Sequence, residues 1–129
     1  MSGIFERMLS AYDTSTDIAK RNATYEVMQQ VALSGLAKGG FFDKAAFYGG
    51  TCLRIFHGLK RFSEDMDFSL LESTPDFDFS PYFDCIEEEF AAVGQKVSIT
   101  LKKKTKVTTI QSAFLKSDTA LFNLSLERG

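Results

Sequence analysis

Two adjacent glycines, Gly49-Gly50, separate a short apolar segment, Ala45 to Tyr48, from a run with helical spacing. A strict polar–apolar alternation, Asp65 to Leu70, follows that run. A period of two marks a half-buried strand, and Cys52, Ile55, Phe56 and Leu59, at i, i+3, i+4 and i+7, mark one face of a helix. The order is therefore strand, glycine turn, helix, strand. Residues i and i+2 of a strand share a face. Asp65 and Asp67 thus stand side by side, with Met66 and Phe68 turned to the core behind them.

The rest of the chain arranges itself around this unit. Ile4-Phe5, Met8-Leu9 and Tyr12 fall at helical spacing, and Asp13 to Thr16 supplies caps for a second helix that ends at Gly39-Gly40. A two-proline loop, 72–81, precedes an amphipathic helix from Tyr82 to Val93. Strands are predicted over Val97 to Leu101, Val107 to Phe114 and Thr119 to Leu126, with a lysine-rich hairpin turn at Lys102 to Lys106. At 129 residues this is one domain, a helical lead-in over 1–40 and a sheet core over 41–129. With 44% hydrophobic and 25% charged residues the chain can bury a core without disulfides or structural zinc. Its 13 Phe make that core phenylalanine-rich, or turn some rings toward a partner or a further part of the protein.

Several classes are excluded or disfavoured. No apolar run reaches the ~18–20 residues of a membrane span, and Met1 to Tyr12 lacks the pattern of a signal peptide. Cys52, Cys85 and the single His57 lack metal-ligand spacing, which argues against a Cys/His zinc site. Reduced thiols fit a cytoplasmic protein. A net charge of −2 excludes a globally basic nucleic-acid sleeve but leaves room for a local patch. Charge is in fact segregated. Ten acidic residues and no Lys or Arg lie between Phe62 and Gln95, and Lys96 to Lys116 carries six lysines and no acid.

The strand–glycine–helix–strand unit carries the chemistry. Two neighbouring carboxylates raise each other's pKa unless a cation lies between them, and a hard divalent ion takes one or two carboxylates plus phosphate oxygens and water. Gly49-Gly50-Thr51, at a helix start, lets backbone N–H groups approach a phosphate, with Thr51 either capping the helix or adding its hydroxyl to the phosphate. Arg54, His57 and Arg61 share the polar side of that helix, and Arg54 or Arg61 can offset triphosphate charge. A second pair, Asp76 and Asp78, lies between two prolines with no glycine turn before it and reads as a solvated loop. His57 reads as an exposed helix residue, Ser63 and Glu64 as shaping the turn before the strand. Lys102 to Lys106 reads as a solubilising hairpin tip, with RNA backbone binding as the rarer alternative.

Gly49-Gly50-Thr51-x-Leu53-Arg54 followed by Arg61-x-Ser63-Glu64-Asp65-x-Asp67-Phe68 resembles the AbiEii-type nucleotidyltransferases, toxins of type IV toxin–antitoxin and abortive-infection systems in bacteria. These belong to the polymerase β-like nucleotidyltransferase superfamily. The resemblance implies an α/β (α+β) fold, a small mixed β-sheet flanked by helices. It implies Mg²⁺ or Mn²⁺ at catalytic Asp65 and Asp67, and an NTP held by Gly49, Gly50, Thr51, Arg54, Arg61 and Ser63. The nucleotide would pass to a tRNA or protein acceptor, and a cognate antitoxin would be a partner. The superfamily has a third carboxylate on a later strand. Glu127 is the one acid available there, and the expectation is that the true third acid and a lysine-bearing helical part lie beyond Gly129. Two other readings use the same residues: a non-catalytic nucleotide- or protein-binding module, and an antibiotic-modifying nucleotidyltransferase.

Overall fold

The computed structural model describes residues 3–60, 62–102 and 109–129. Helix α1 (Ile4–Leu9) leads into the long α2 (Asp17–Lys38). Thr16 starts α2 by accepting the Ala19 N–H at 3.0 Å, and Gly40, at φ +80°, turns the chain out of it. Strand β1 (Ala45–Tyr48), helix α3 (Gly49–His57) and strand β2 (Met66–Leu70) follow in the predicted order. Helix α4 (Phe83–Ala92) precedes β3 (Ser98–Leu101), β4 (Ile110–Lys116) and β5 (Leu121–Glu127). The hairpin turn expected at Lys102 to Lys106 lies, apart from Lys102, outside the described residues, as does Arg61. No helix among the described residues is long and apolar enough to cross a membrane.

The strands form one sheet in the order β1-β2-β5-β4-β3. Only β2 and β5 run parallel, and the remaining pairs are antiparallel, so the sheet is mixed. Side-chain alternation divides it into two faces. One face is apolar: Phe47, Met66, Phe68, Leu124, Leu126, Ala113 and Leu115 join a single core with Val27, Met28, Val31 and Leu36 of α2 and Ile86 and Phe90 of α4. Phe68 is its centre, with the rings of Phe41 at 5.3 Å, Phe47 at 5.2 Å and Phe79 at 6.0 Å. Tyr25 of α2 docks on β5: its hydroxyl donates to the Leu121 carbonyl and accepts the Leu121 N–H. Helices α2 and α4 meet at Gly35, where an added methyl would lie 2.8 Å from the Cys85 carbonyl oxygen.

The opposite face is polar. Register aligns Tyr48 with Asp67, Asp67 with Ser125, and Ser125 with Ser112. One turn along the same face, Ser69 pairs with Glu127, and Phe114 with Asn123 and Thr100.

One expectation needs correction. The apolar stripe of α3 was expected to continue to Leu59. Instead the helix stops at His57, because Gly58 adopts φ +72° and the Leu59 N–H returns to the Leu53 carbonyl. Leu53, Phe56 and Leu59 are left exposed, Phe56 to 63%.

Candidate active site

The site forms where β1 turns into α3 against the first residues of β2. Gly49 has φ +86°, a conformation natural to glycine. A methyl group there would also lie 2.7 Å from Asp67 Oδ2. The Asp67 carboxylate therefore sits directly against the backbone at the start of α3. Gly50 faces Ser63 in the same way, with 3.2 Å from an added methyl to Ser63 Oγ. No side chain caps α3, since its N-cap residue Tyr48 makes no such bond. Its first N–H groups are thus left to whatever anion approaches.

Asp65 is held from two sides. Its Oδ1 accepts the backbone N–H of Asn123 at 3.1 Å and the Asn123 side-chain amide at 3.3 Å. Its carbonyl accepts the hydroxyl of Thr51. Burial, then the neighbouring Asp65 charge, pushes the Asp67 carboxyl above the ordinary aspartate range. Tyr48 stands across the β1–β2 ladder from Asp67, and its phenol is raised by burial and then by the charges of Asp67 and Glu127.

Two side chains, Thr51 and Arg54, are engaged otherwise than the sequence predicts. Thr51 is buried and bonds the Asp65 backbone, so it neither caps α3 nor presents its hydroxyl to a phosphate. Arg54 is not a free phosphate contact. Its Nε donates to Glu26 at 2.8 Å, its Nη1 to the carbonyls of Leu59 and Lys60, and its guanidinium lies 3.9 Å from the Phe62 ring centre. It braces the loop that leads to the aspartates. Glu127 shares the polar face, but its carboxylate accepts the Gly129 N–H at 3.1 Å, and among the described residues no group of three acidic, cysteine or histidine side chains is placed to hold a metal.

Sequence reading missed the support beneath the site. Gln29 is buried, and its side-chain amide donates to the carbonyls of Ser63 at 2.6 Å and Glu64 at 2.9 Å. Glu26, also buried, accepts from Arg54 and from the Tyr12 hydroxyl, which in turn accepts from Gln30. Glu26, Gln29 and Gln30 at i, i+3 and i+4 within an otherwise apolar stretch of α2 were the available signal. The second aspartate pair behaves as expected of a loop: Asp78 accepts the N–H and hydroxyl of Ser80, which lowers its pKa. His57 is exposed at the end of α3.

The family profile described as nucleotidyl transferase AbiEii toxin, type IV TA system, matches residues 31–127. The chain belongs to this family. The AbiEii match covers the C-terminal third of α2, the glycine turn, both aspartates and all five strands. A search of curated protein sequences gives no match. Two solved structures share the fold. JHP933 from Helicobacter pylori is 20% identical with a TM-score of 0.58, over 83% of this chain and 44% of that one. A candidate nucleotidyltransferase from H. pylori is 19% identical with a TM-score of 0.54, over 81% and 44%. The AbiEii chain described here thus spans under half the length of either.

Proposed function

We propose that this AbiEii domain transfers a nucleotide from an NTP to an acceptor hydroxyl, as the toxin of a type IV toxin–antitoxin pair acting in the cytoplasm. The observation that carries the reading is the Asp67 carboxylate seated against Gly49 at the uncapped start of α3, with Asp65 beside it. Two adjacent carboxylates, one with a raised pKa, are a donor set that fits a hard divalent cation. Asp65 and Asp67 would hold Mg²⁺ or Mn²⁺, which when bound supplies charge neutralisation for the triphosphate and the leaving group.

The chain's own residues do the rest. The N–H groups of Gly49, Gly50 and Thr51 receive phosphate oxygens, aided by the helix dipole. Asn123 and the Thr51 hydroxyl fix Asp65, and Gln29 fixes the turn at Ser63-Glu64, so both carboxylates are positioned before substrate arrives. In the transfer the acceptor oxygen bonds the α-phosphorus, the bond to the bridging oxygen breaks, pyrophosphate leaves, and the acceptor proton passes to a carboxylate. A tRNA or a protein serves as acceptor, and the antitoxin is the natural partner.

Calorimetry with Mg²⁺ and each NTP tests the site. Binding is expected for the wild-type chain and a loss of about 100-fold or more for Asp65→Ala/Asp67→Ala, since even supporting residues of metal ligands cost about 10–100-fold. Equal binding by the double variant would remove the cation site.

A further inference from the structure

A cation from outside the strand–glycine–helix–strand unit stands at the rim of the site. Arg21, in the second turn of α2, donates from Nη2 to Glu64 Oε1 at 2.7 Å. Glu64 lies between Ser63, which faces Gly50, and Asp65. The Arg21 guanidinium also lies 4.4 Å from the centre of the Tyr25 ring. That ring is fixed, because Tyr25 is buried and its hydroxyl bonds both backbone groups of Leu121. Leu121 opens β5, two residues before the Asn123 that holds Asp65. Arg21 and its aromatic platform therefore stand at the end of the sheet where the aspartates lie.

The two ion pairs around the site differ in kind. Glu26–Arg54 is buried, with side chains 8% and 22% exposed, and parting such a pair shifts an equilibrium by about a hundredfold or more. Arg54 therefore stays where it is. Arg21–Glu64 is open, with side chains 49% and 54% exposed, and such a pair is worth at most about fivefold. A triphosphate brings several charges and paired oxygens to a guanidinium, against one charge and one hydrogen bond from Glu64.

We propose that Arg21 is a phosphate-contacting residue that Glu64 holds at the rim until the triphosphate of an incoming NTP draws it away; this rests on the nucleotidyl-transfer reading and adds to it a residue outside the stretch that matches the family profile. Glu64 and the substrate thus compete for one cation, and the Tyr25 ring keeps the guanidinium near the rim when Glu64 releases it. The rival role for Arg21, merely cancelling the Glu64 charge, predicts a different outcome when both residues are changed.

Calorimetry on the full chain, with Mg²⁺ and each NTP and with Mg²⁺ and tripolyphosphate, tests this. Arg21→Ala should weaken both kinds of ligand about 10-fold or more, as loss of a hydrogen bond to a charged group does. Glu64→Gln should tighten both by up to about fivefold, a gain that misfolding cannot produce. Arg21→Ala/Glu64→Gln should still bind more weakly than the wild type, because the phosphate contact is gone although no carboxylate is left unpaired. The proposal is overturned if Arg21→Ala binds as the wild type does, if the double variant regains wild-type affinity, or if Arg21→Ala loses NTP but not tripolyphosphate. Asp67-dependent NTP binding in any of those cases would leave the transfer reading standing. A wild type that binds no NTP would remove both.

Discussion

Replacing the Asp67 carboxylate by an amide separates what the residue does for the fold from what it does for a ligand. Its folded pKa is raised by burial and by Asp65, so the folded chain keeps the proton to higher pH than the unfolded chain. That contribution is fully present below the unfolded value of about 3.9 and is lost as pH rises through the folded value. At pH 7 the ionised group therefore works against the cation-free fold. Asp67→Asn is expected to raise Tm slightly at pH 7 in chelator, to lose this advantage as pH falls below about 4, and to lose NTP binding. A thermal scan across pH reads the first two and calorimetry the third. Gly49 has two demands on it, a positive φ and the contact with Asp67 Oδ2. Gly49→Ala should cost about 1–3 kcal/mol by urea unfolding and should also weaken NTP binding. Both aspartates and the glycines were visible as residue types in sequence. The true work of Arg54 and Thr51 was not, because their partners, Glu26 and the Asp65 carbonyl, are 28 and 14 positions away.

At the scale of elements, α2 is the platform on which the turn before β2 rests. Gln29→Leu removes the amide that satisfies the Ser63 and Glu64 carbonyls. NTP affinity is expected to fall about 10-fold or more although residue 29 touches no ligand, and Gln29→Glu should not restore it, because a carboxylate cannot donate. Where α2 crosses α4, Gly35→Ala would press a methyl on the Cys85 carbonyl and the Ile86 Cα, at 2.8 and 2.9 Å. Backbone cannot move aside as a side chain can, so urea unfolding should show a loss of about 1–3 kcal/mol. Helix periods and strand alternation placed nearly every element within a few residues. The early end of α3 escaped because its apolar spacing runs on to Leu59, although Gly58, left-handed at φ +72°, is the kind of glycine that ends many helices.

For the whole molecule, stability rests on one phenylalanine-rich core that joins the sheet to α2 and α4. Phe68→Ala removes the ring shared by Phe41, Phe47 and Phe79 and should cost about 3–5 kcal/mol, a large share of the ~5–15 kcal/mol typical of a domain. Denaturant titration checks this. Because Phe68 and Asp67 are chain neighbours on opposite faces of β2, this loss also carries the site with it. The sequence by itself determined the strand–glycine–helix–strand order and the pair of carboxylates on one face, because both follow from short-range periodicity and backbone conformational preference. Tertiary structure alone decided the β1-β2-β5-β4-β3 order, the pinning of Asp65 by Asn123, the support of the turn by Gln29 and the pairing of Arg21 with Glu64. Those depend on which distant segments come to lie side by side, a choice made by the packing of the whole core rather than by any local stretch of chain.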